Sequence, residues 1–161
     1  MVKIAGIDPG LAGTGVGVIH GDGVKVSGYS FGSIKTEKKD PIGLRLNIIY
    51  SKITEFLKDQ TPDLVVVEDI FSLLKYPGSG ISLAKVSGVL ILASFKAGID
   101  VEEITVREAK KIISGSGSAD KYQVEESVRT ILGHDKPIRP FHASDALALA
   151  LCGYYRFGKK L

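Results

Sequence analysis

Three acidic residues lie where the sequence pattern predicts that a strand or helix of the core begins or ends. Asp8 ends an alternating, strand-like segment, Glu68 directly follows the continuous apolar run 64–67, and Asp145 lies near the start of the last predicted helix. Carboxylates gathered at one site repel one another, and their pKa values rise unless cations neutralise the charge. The residue types therefore favour a site for a hard divalent cation such as Mg²⁺, which prefers oxygen ligands. A pair of such ions could support phosphodiester hydrolysis.

A histidine precedes the last of these acids by helical spacing. His142 and Asp145 are three residues apart, so they would share one helix face, which continues through Leu149 and Cys152 and points inward. A polar pair on an inward face needs partners, because an unpaired buried charge is costly. The imidazole would suit Mn²⁺ somewhat better than Mg²⁺. In the alternative interpretation, Ser144 or Asp145 caps the helix and His142 packs on a loop.

The two acids that follow strands also have simpler interpretations. Asp8-Pro9-Gly10 has the composition of an ordinary turn. Glu68 and Asp69 could point into solvent beyond a strand end, where charges are common. Against these interpretations, active sites of open α/β sheets lie outside the carboxyl ends of strands, and parallel pairing would bring Asp8 and Glu68 together.

Lysines and serines beyond the acids indicate phosphate contacts. Lys110 and Lys121 flank the glycine-serine segment 114–118, which includes Ser116 and Ser118 and leads into a predicted helix. Loop amides and a helix N-terminus are natural phosphate contacts. A plain flexible linker explains the same composition equally well.

A second basic stretch follows Glu68. No acidic residue occurs from residue 70 to residue 98, whereas Lys75, Lys85 and Lys96 do. These lysines could face DNA phosphates, although an ordinary buried helix would also lack acids. Phe71, in the loop after the acidic pair, could wedge between bases at a distorted step, or it could pack onto the protein.

The elements that must position these side chains follow from hydrophobic periodicity. Three hairpin-linked strands are predicted first, then a helix, an interior strand covered on both faces, a helix that is apolar nearly all round and therefore buried, a short strand, and three helices. This order predicts a mixed α/β sheet with helices on both faces. The predicted strands are 2–8, 15–19, 24–33, 64–67 and 101–104, and the predicted helices are 40–59, 81–97, 107–113, 121–132 and 144–155.

Composition limits the class of protein. A length of 161 residues predicts a single domain, and 21 Lys and Arg against 18 Asp and Glu give a net charge of +3, which permits nucleic-acid binding without requiring it. The single cysteine excludes a disulfide within the chain. No apolar stretch approaches the roughly 20 residues needed to span a membrane. We therefore expect a soluble, cytoplasmic protein without a membrane partner.

Four segments together resemble one family over essentially the full length of the chain. They are residues 6–10 (GIDPG), 67–71 (VEDIF), 115–121 (GSGSADK) and 142–148 (HASDALA), and their order and approximate spacing are those of the bacterial RuvC Holliday-junction resolvases, which have a ribonuclease-H-like fold. The resemblance implies a single endonuclease domain, 1–161, built on a five-stranded mixed sheet. It also implies a metal-dependent endodeoxyribonuclease that resolves four-way junctions by symmetric paired nicks during DNA recombination and repair.

The resemblance further implies roles for individual residues. Asp8, Glu68 and Asp145 would be metal ligands, and His142 would fill the fourth ligand position, where many family members have Asp and others have His. Lys110 and Lys121 would assist near the phosphate, and Phe71 matches an aromatic residue that contacts junction bases. The cofactor would be Mg²⁺, with Mn²⁺ as the alternative and two ions per active site. The partners would be junction DNA and a second copy of the chain in a homodimer, and a branch-migration motor complex stays open as a further partner.

Two rival classes remain at this point. An actin-like or sugar-kinase-like ATP-binding protein also opens with a strand that ends in Asp-x-Gly and a glycine-rich hairpin, but it needs two related domains, and 161 residues supply only one. The other rival keeps the fold and changes the activity. It would be a relative that processes ribosomal RNA, as the YqgF-type proteins do, or a junction-binding module without cleavage.

Overall fold

The computed structural model describes residues 1–70 and 77–161, with the side chains of residues 77–79 excepted. Strands and helices follow one another in the order that the hydrophobic pattern predicts. The strands are β1 (Val2–Asp8), β2 (Gly13–Gly21), β3 (Val26–Lys35), β4 (Leu64–Asp69) and β5 (Val101–Thr105), and the helices are α1 (Ile42–Gln60), α2 (Pro77–Lys96), α3 (Val106–Ser114), α4 (Lys121–Leu132) and α5 (Phe141–Phe157).

The five strands form one mixed sheet in the order β3-β2-β1-β4-β5. β1, β2 and β3 pair antiparallel, as the hairpin pattern predicts, whereas β4 pairs parallel to both β1 and β5. Residues 64–67 of β4 are all buried, which confirms the prediction of an interior strand covered on both faces.

Side chains that alternate along the strands form two hydrophobic cores, one on each face of the sheet. Ile4 and Val66 pack against α3, α4 and α5 on one face. Ala5 and Val65, one residue along each strand, pack against α1 and α2 on the other. Helices therefore cover both faces, as predicted, and the face that carries α5 also receives the even-numbered side chains of β1.

Several boundaries differ from the prediction. β2 is longer than 15–19 at both ends, and β3 begins at Val26 and ends at Lys35 instead of covering 24–33. β2 and β3 pair over almost their whole length, so cross-strand hydrogen bonds extend β2 into the glycine-containing segments on both sides of it and extend β3 to Lys35. α2 begins at Pro77, inside the predicted loop, because proline is compatible with the first turn of a helix.

The prediction that α2 is buried all round is wrong. Val86, Leu90 and Ala93 form a buried stripe, but Ile91 and Leu92 are exposed, as are Ile81 and Phe95 at the two ends of the helix. The sequence pattern shows that the helix is apolar, but it does not say which element of this chain covers each side. In the described part of the chain, no helix is long and apolar enough to cross a membrane.

Candidate active site

The predicted acids on β1 and β4 end at the same edge of the sheet. Ile7 pairs with Val67 in the parallel register, so Asp8 and Glu68 are the next residues on two adjacent strands. Side chains alternate between the two faces of a strand, so each of these acids shares a face with earlier residues of its strand that pack on the α5 side. Asp8 is buried and Glu68 is half-buried. Parallel pairing thus brings the two carboxylates together, as the sequence analysis expected.

Glycines on the strands allow α5 to lie directly on the sheet. A Cβ added to Gly6 would stand 2.0 Å from the carbonyl oxygen of Ala146, and one added to Gly15 would stand 1.8 Å from that of His142. At Gly17 the added atom would be 2.9 Å from the backbone nitrogen of Leu147. The helix backbone therefore occupies the space of the missing side chains, and this close approach carries the α5 residues to Asp8.

The sequence analysis placed these glycines in predicted strands, but it missed their role in the close packing of α5. A signal was present in the sequence. Gly13, Gly15 and Gly17 recur with a period of two, so they lie on one face of a single strand. The last helix carries small residues, with Ala143 and Ala146 on its buried side. Small residues on two facing elements indicate close backbone packing.

His142 binds Asp8 directly. The His142 Nδ1 atom lies 2.6 Å from Asp8 Oδ2, and this contact with the buried carboxylate raises the pKa of His142 above its usual range. The N-cap of α5 is Pro140, without a side-chain cap, and the Ser144 hydroxyl donates to the Phe141 carbonyl oxygen. The alternative in which Ser144 or Asp145 caps the helix and His142 packs on a loop is therefore excluded.

The remaining two acids are hard to ionise. Burial, followed by repulsion from Asp8, raises the pKa of Glu68 to about 8. Burial and the same repulsion raise the pKa of Asp145 to about 6. The positive charge of Lys110 acts in the opposite direction on both groups, but it is too weak to offset these effects. The site therefore holds more negative charge than its own cations compensate.

A cleft of about 220 Å³ opens beside these carboxylates. Its lining includes Glu68 and Asp145 together with Lys110 from α3 and Lys121 from α4. The two lysines that flank the glycine-serine segment thus share one cleft with two of the acids.

The donor set fits a divalent cation. Three carboxylates and one imidazole suit Mg²⁺ or Mn²⁺, and the raised pKa values of Glu68 and Asp145 reflect burial and then repulsion from Asp8, both of which a bound cation would offset. Across residues 1–70 and 77–161, no three such side chains are already close enough to share one ion. The Asp8–His142 contact contributes to this spacing, because it engages two of the donors with each other. Ion binding would therefore require side-chain rotation at the site.

The glycine-serine segment differs from the expected flexible phosphate loop. Gly115 caps α3 in the left-handed conformation with a φ of 78°, and the Ser116 and Ser118 hydroxyls lie 3.0 Å apart. Asp120 accepts hydrogen bonds from the backbone nitrogens of Tyr122 and Gln123 in a capping box. The Asp120 carboxylate thus already accepts from two of the amides at the α4 N-terminus, and the phosphate contact of this segment stays a prediction.

Of the lysines after β4, Lys85 and Lys96 lie away from the cleft. Lys85 is exposed on α2, which covers the opposite face of the sheet from α5. Lys96 lies on the same helix, with its Nζ atom 5.8 Å from the centre of the Tyr50 ring. Phe71 and Lys75 lie outside the described residues.

Comparison with protein families and curated proteins identifies similar chains over nearly the whole length. A family model described as crossover junction endodeoxyribonuclease RuvC matches residues 4–153. RuvC of Carboxydothermus hydrogenoformans is 40% identical over 159 residues, which cover 98% of this chain and 98% of that protein. RuvC of Syntrophomonas wolfei is 37% identical over 156 residues, which cover 97% of this chain and 90% of that protein.

Solved structures agree with this similarity. The structure of Thermus thermophilus RuvC in complex with a Holliday junction substrate matches with a TM-score of 0.88 and 29% identity, covering 99% of this chain and 97% of that one. The yeast mitochondrial Holliday junction resolvase Ydc2 matches with a TM-score of 0.65 at 11% identity, which is a likeness of fold alone. The predicted ribonuclease-H-like fold is confirmed by the first match.

Proposed function

The chain belongs to the family of the crossover junction endodeoxyribonuclease RuvC, and on that premise we propose that its cleft is a metal-dependent active site that resolves Holliday junctions. The observation that carries the proposal is the convergence of three carboxylates, from β1, β4 and α5, two of which line one cleft together with two lysines. Local turn or cap chemistry does not require such a gathering, and repulsion makes it costly without a cation.

Each carboxylate has a defined part in this proposal. Asp8, Glu68 and Asp145 would hold the cation, and His142, which now contacts Asp8, would be the fourth ligand. When bound there, Mg²⁺ or Mn²⁺ would activate water and stabilise the leaving oxygen, with two ions as the arrangement best suited to phosphodiester hydrolysis. Because Asp8 is buried on the last residue of a strand, its position is fixed before substrate arrives.

The cationic side of the cleft would bind the substrate phosphate. Lys110 and Lys121 line the same cleft as Glu68 and Asp145, and we propose that they contact the non-bridging oxygens of the phosphodiester bond to be cut. We propose further DNA contacts along the strand on both sides of that bond, and these would set the fit to a junction by shape and backbone contacts. The candidate residues are Phe71, Lys75, Lys85, Ser116 and Ser118.

A second copy of the chain would complete the enzyme. The exposed apolar residues Ile81, Leu92 and Phe95 lie on one side of α2, separated by multiples of three to four residues. Gly88 lies between them, and a Cβ added there would meet nothing within 4 Å, which leaves room for another helix to approach closely. We propose a homodimer through this α2 face, because a two-fold axis would present two cleft sites to two strands for symmetric nicks.

The setting of the activity follows from the substrate. Junction DNA arises during recombination and repair, so we propose that the protein acts in the cytoplasm of a bacterium. A branch-migration motor complex is a possible additional partner, and a pull-down on junction DNA with and without such a motor would test it.

The experiment that tests the proposed function compares three nucleic acids. Labelled four-way junction, linear duplex and RNA–DNA hybrid are incubated with the protein in Mg²⁺, Mn²⁺ or EDTA. We expect paired nicks in the junction alone, lost in EDTA. We also expect Asp8→Asn to reduce the rate by about a thousand-fold or more, since transition-state charge stabilisation of this kind contributes several kcal/mol.

A matched charge variant controls for the loss of one carboxylate. Asp59→Asn removes an exposed carboxylate near the end of α1. Lys3 Nζ donates to the Gln60 carbonyl oxygen there, so Asp59 lies near the start of β1, at the opposite end of the strand from Asp8. Asp59→Asn should cut like the natural protein. Binding without cutting in either metal would reject catalysis in favour of a junction-binding module, and preference for the hybrid would favour an RNA substrate.

A further inference from the structure

Lys121 belongs to a group of cations and aromatic rings that extends from the cleft to the segment before α5. Its Nζ atom lies 4.9 Å from the centre of the Phe141 ring and 5.5 Å from that of Tyr122. The two rings meet edge to face, with centres 5.0 Å apart. On the same Phe141 ring, the Arg139 guanidinium carbon lies 4.1 Å from the centre. One half-buried phenylalanine therefore contacts two cations and one aromatic ring.

The segment that carries Phe141 is itself anchored to α4. The Glu125 carboxylate is buried and accepts a hydrogen bond from the backbone nitrogen of Ile138 at 2.8 Å. The same oxygen accepts one from Arg129 Nε at 3.2 Å, and Arg139 NH1 lies 3.8 Å away. A buried carboxylate with these partners fixes the chain just before α5, because releasing any partner would leave its charge uncompensated. The Phe141 ring is thus held relative to the helix that begins at Lys121.

Lys121 needs such a restraint if it acts on a phosphate. Its backbone is fixed at the first position of α4 by the Asp120 capping box, but its side chain is exposed and has four rotatable bonds. An unrestrained lysine of this kind loses roughly 1.5–2 kcal/mol of rotamer entropy when it is held in one conformation. An aromatic face that attracts the ammonium group reduces this loss in advance.

We propose that Phe141 is a positioning residue whose ring, held by Arg139 and Tyr122, keeps the Lys121 ammonium group at the cleft. The inference rests on the proposed function, in which Lys121 contacts the phosphate. Phe141 does not line the cleft itself, so its effect passes through Lys121. Arg139 contacts the same ring, and its guanidinium group also lies near the carboxylate of Glu125. These contacts hold the ring in one orientation.

The first part of the test separates positioning from packing. Phe141→Leu keeps an apolar side chain but removes the aromatic face, and Phe141→Tyr keeps both. We expect Phe141→Leu to slow single-turnover junction cleavage about two- to five-fold, the range that the loss of one exposed cation–π contact implies. Junction affinity in EDTA should stay unchanged, and Phe141→Tyr should restore the rate. Equal slowing by both variants, or a loss of affinity alone, would overturn the proposal.

A double-mutant cycle tests whether the effect passes through Lys121. Phe141→Leu should add nothing in a Lys121→Ala background, because its effect passes through Lys121. Its effect should multiply with that of Lys110→Ala, because Lys110 lines the same cleft but is not the lysine that Phe141 positions. Additive effects with Lys121→Ala would reject the positioning role while leaving the proposed function intact. A Lys121→Ala variant that cuts at the natural rate would reject the proposed role of Lys121, and the inference with it.

A graded measurement covers the case in which Phe141→Leu does not fold. Fluorinated phenylalanines at position 141 preserve the shape of the ring while they progressively weaken its attraction for a cation. The cleavage rate should fall stepwise with the number of fluorine atoms in the natural background and stay flat in the Lys121→Ala background. A flat response in both backgrounds would overturn the inference.

Discussion

The two faces of the sheet are covered in opposite ways. On the α5 face, glycines at positions 6, 15 and 17 let the helix backbone rest on the strands, and the carboxylates of the candidate site lie at the edge of this contact. On the other face, larger apolar side chains separate α1 and α2 from the sheet, and α2 exposes Leu92 and Phe95 on its outer side. The comparison teaches that close backbone contact positions the chemistry, whereas the outer apolar surface remains available for association.

The largest expected effect comes from adding one carbon to the close contact. Gly6→Ala would place a Cβ 2.0 Å from the Ala146 carbonyl oxygen and 2.5 Å from the Ala150 nitrogen, both rigid backbone atoms. We expect the free energy of unfolding to fall by at least about 3 kcal/mol, at the upper end of overpacking costs. Urea denaturation would measure it.

The matched control lies on the opposite face. A Cβ added to Gly43, in α1, meets nothing within 4 Å, so Gly43→Ala should change stability by less than about 1 kcal/mol and in the favourable direction. Equal losses in the two variants would show that the contrast between the faces is not real.

Dimerisation should be sensitive to substitutions on the exposed side of α2 alone. Phe95 is 79% exposed on α2, and Phe95→Glu would bring two like charges to a two-fold interface. We expect the dimer dissociation constant to rise about a hundred-fold, with the melting temperature of the monomer unchanged. Sedimentation equilibrium would measure the constant, and Lys52→Glu on exposed α1 serves as the surface control. A natural protein that is monomeric at all concentrations would reject the α2 interface.

A smaller change in the free energy of unfolding is expected from the carboxylates of the candidate site, and it depends on pH. The folded-state pKa of Glu68 is raised from 4.5 to about 8, so the folded protein binds a proton more tightly than the unfolded chain. This contribution to stability is fully present below pH 4.5 and is lost as the pH rises through about 8. Asp145 adds the same trend between its ordinary value of 3.8 and about 6.

Glu68→Gln should therefore stabilise the metal-free protein at pH 8 by about 2 kcal/mol and flatten the loss of stability with pH. Thermal unfolding across this pH range would measure the difference. Mg²⁺ should stabilise the natural protein at pH 8 and have little effect on the variant, since anything that binds only the folded state raises its stability. A variant less stable than the natural protein at pH 8 would contradict the repulsion argument.

The sequence predicted most of what depends on local periodicity. Alternation placed Asp8 and Glu68 on the α5 side of two parallel strands, and helical spacing placed His142 beside Asp145. The sequence analysis missed the features that depend on which other element packs against a given strand or helix. Nothing local to α2 says which of its apolar sides meets α1, and glycine in β2 serves a turn or a close contact equally well until α5 is known to lie on it.

The Asp120 capping box is a signal that the sequence analysis did not use. The Asp120 and Gln123 spacing was present in the sequence and predicts a capped helix. The sequence analysis began this helix correctly at residue 121, but it considered its N-terminal amides only as phosphate contacts, because glycine and serine dominate the preceding segment 114–118. A local acceptor was present beside those amides in the side chain of Asp120.

The position of α5 in the chain has a consequence for synthesis. His142 and Asp8 are 134 residues apart, and α5 packs on β1 and β2, the first elements to leave the ribosome. Until α5 is in place, the glycine-lined face of the sheet is uncovered, and neither His142 nor Asp145 can complete the proposed set of ligands. On the proposed function, we therefore expect a nascent chain to cut DNA only after α5 has packed on the sheet.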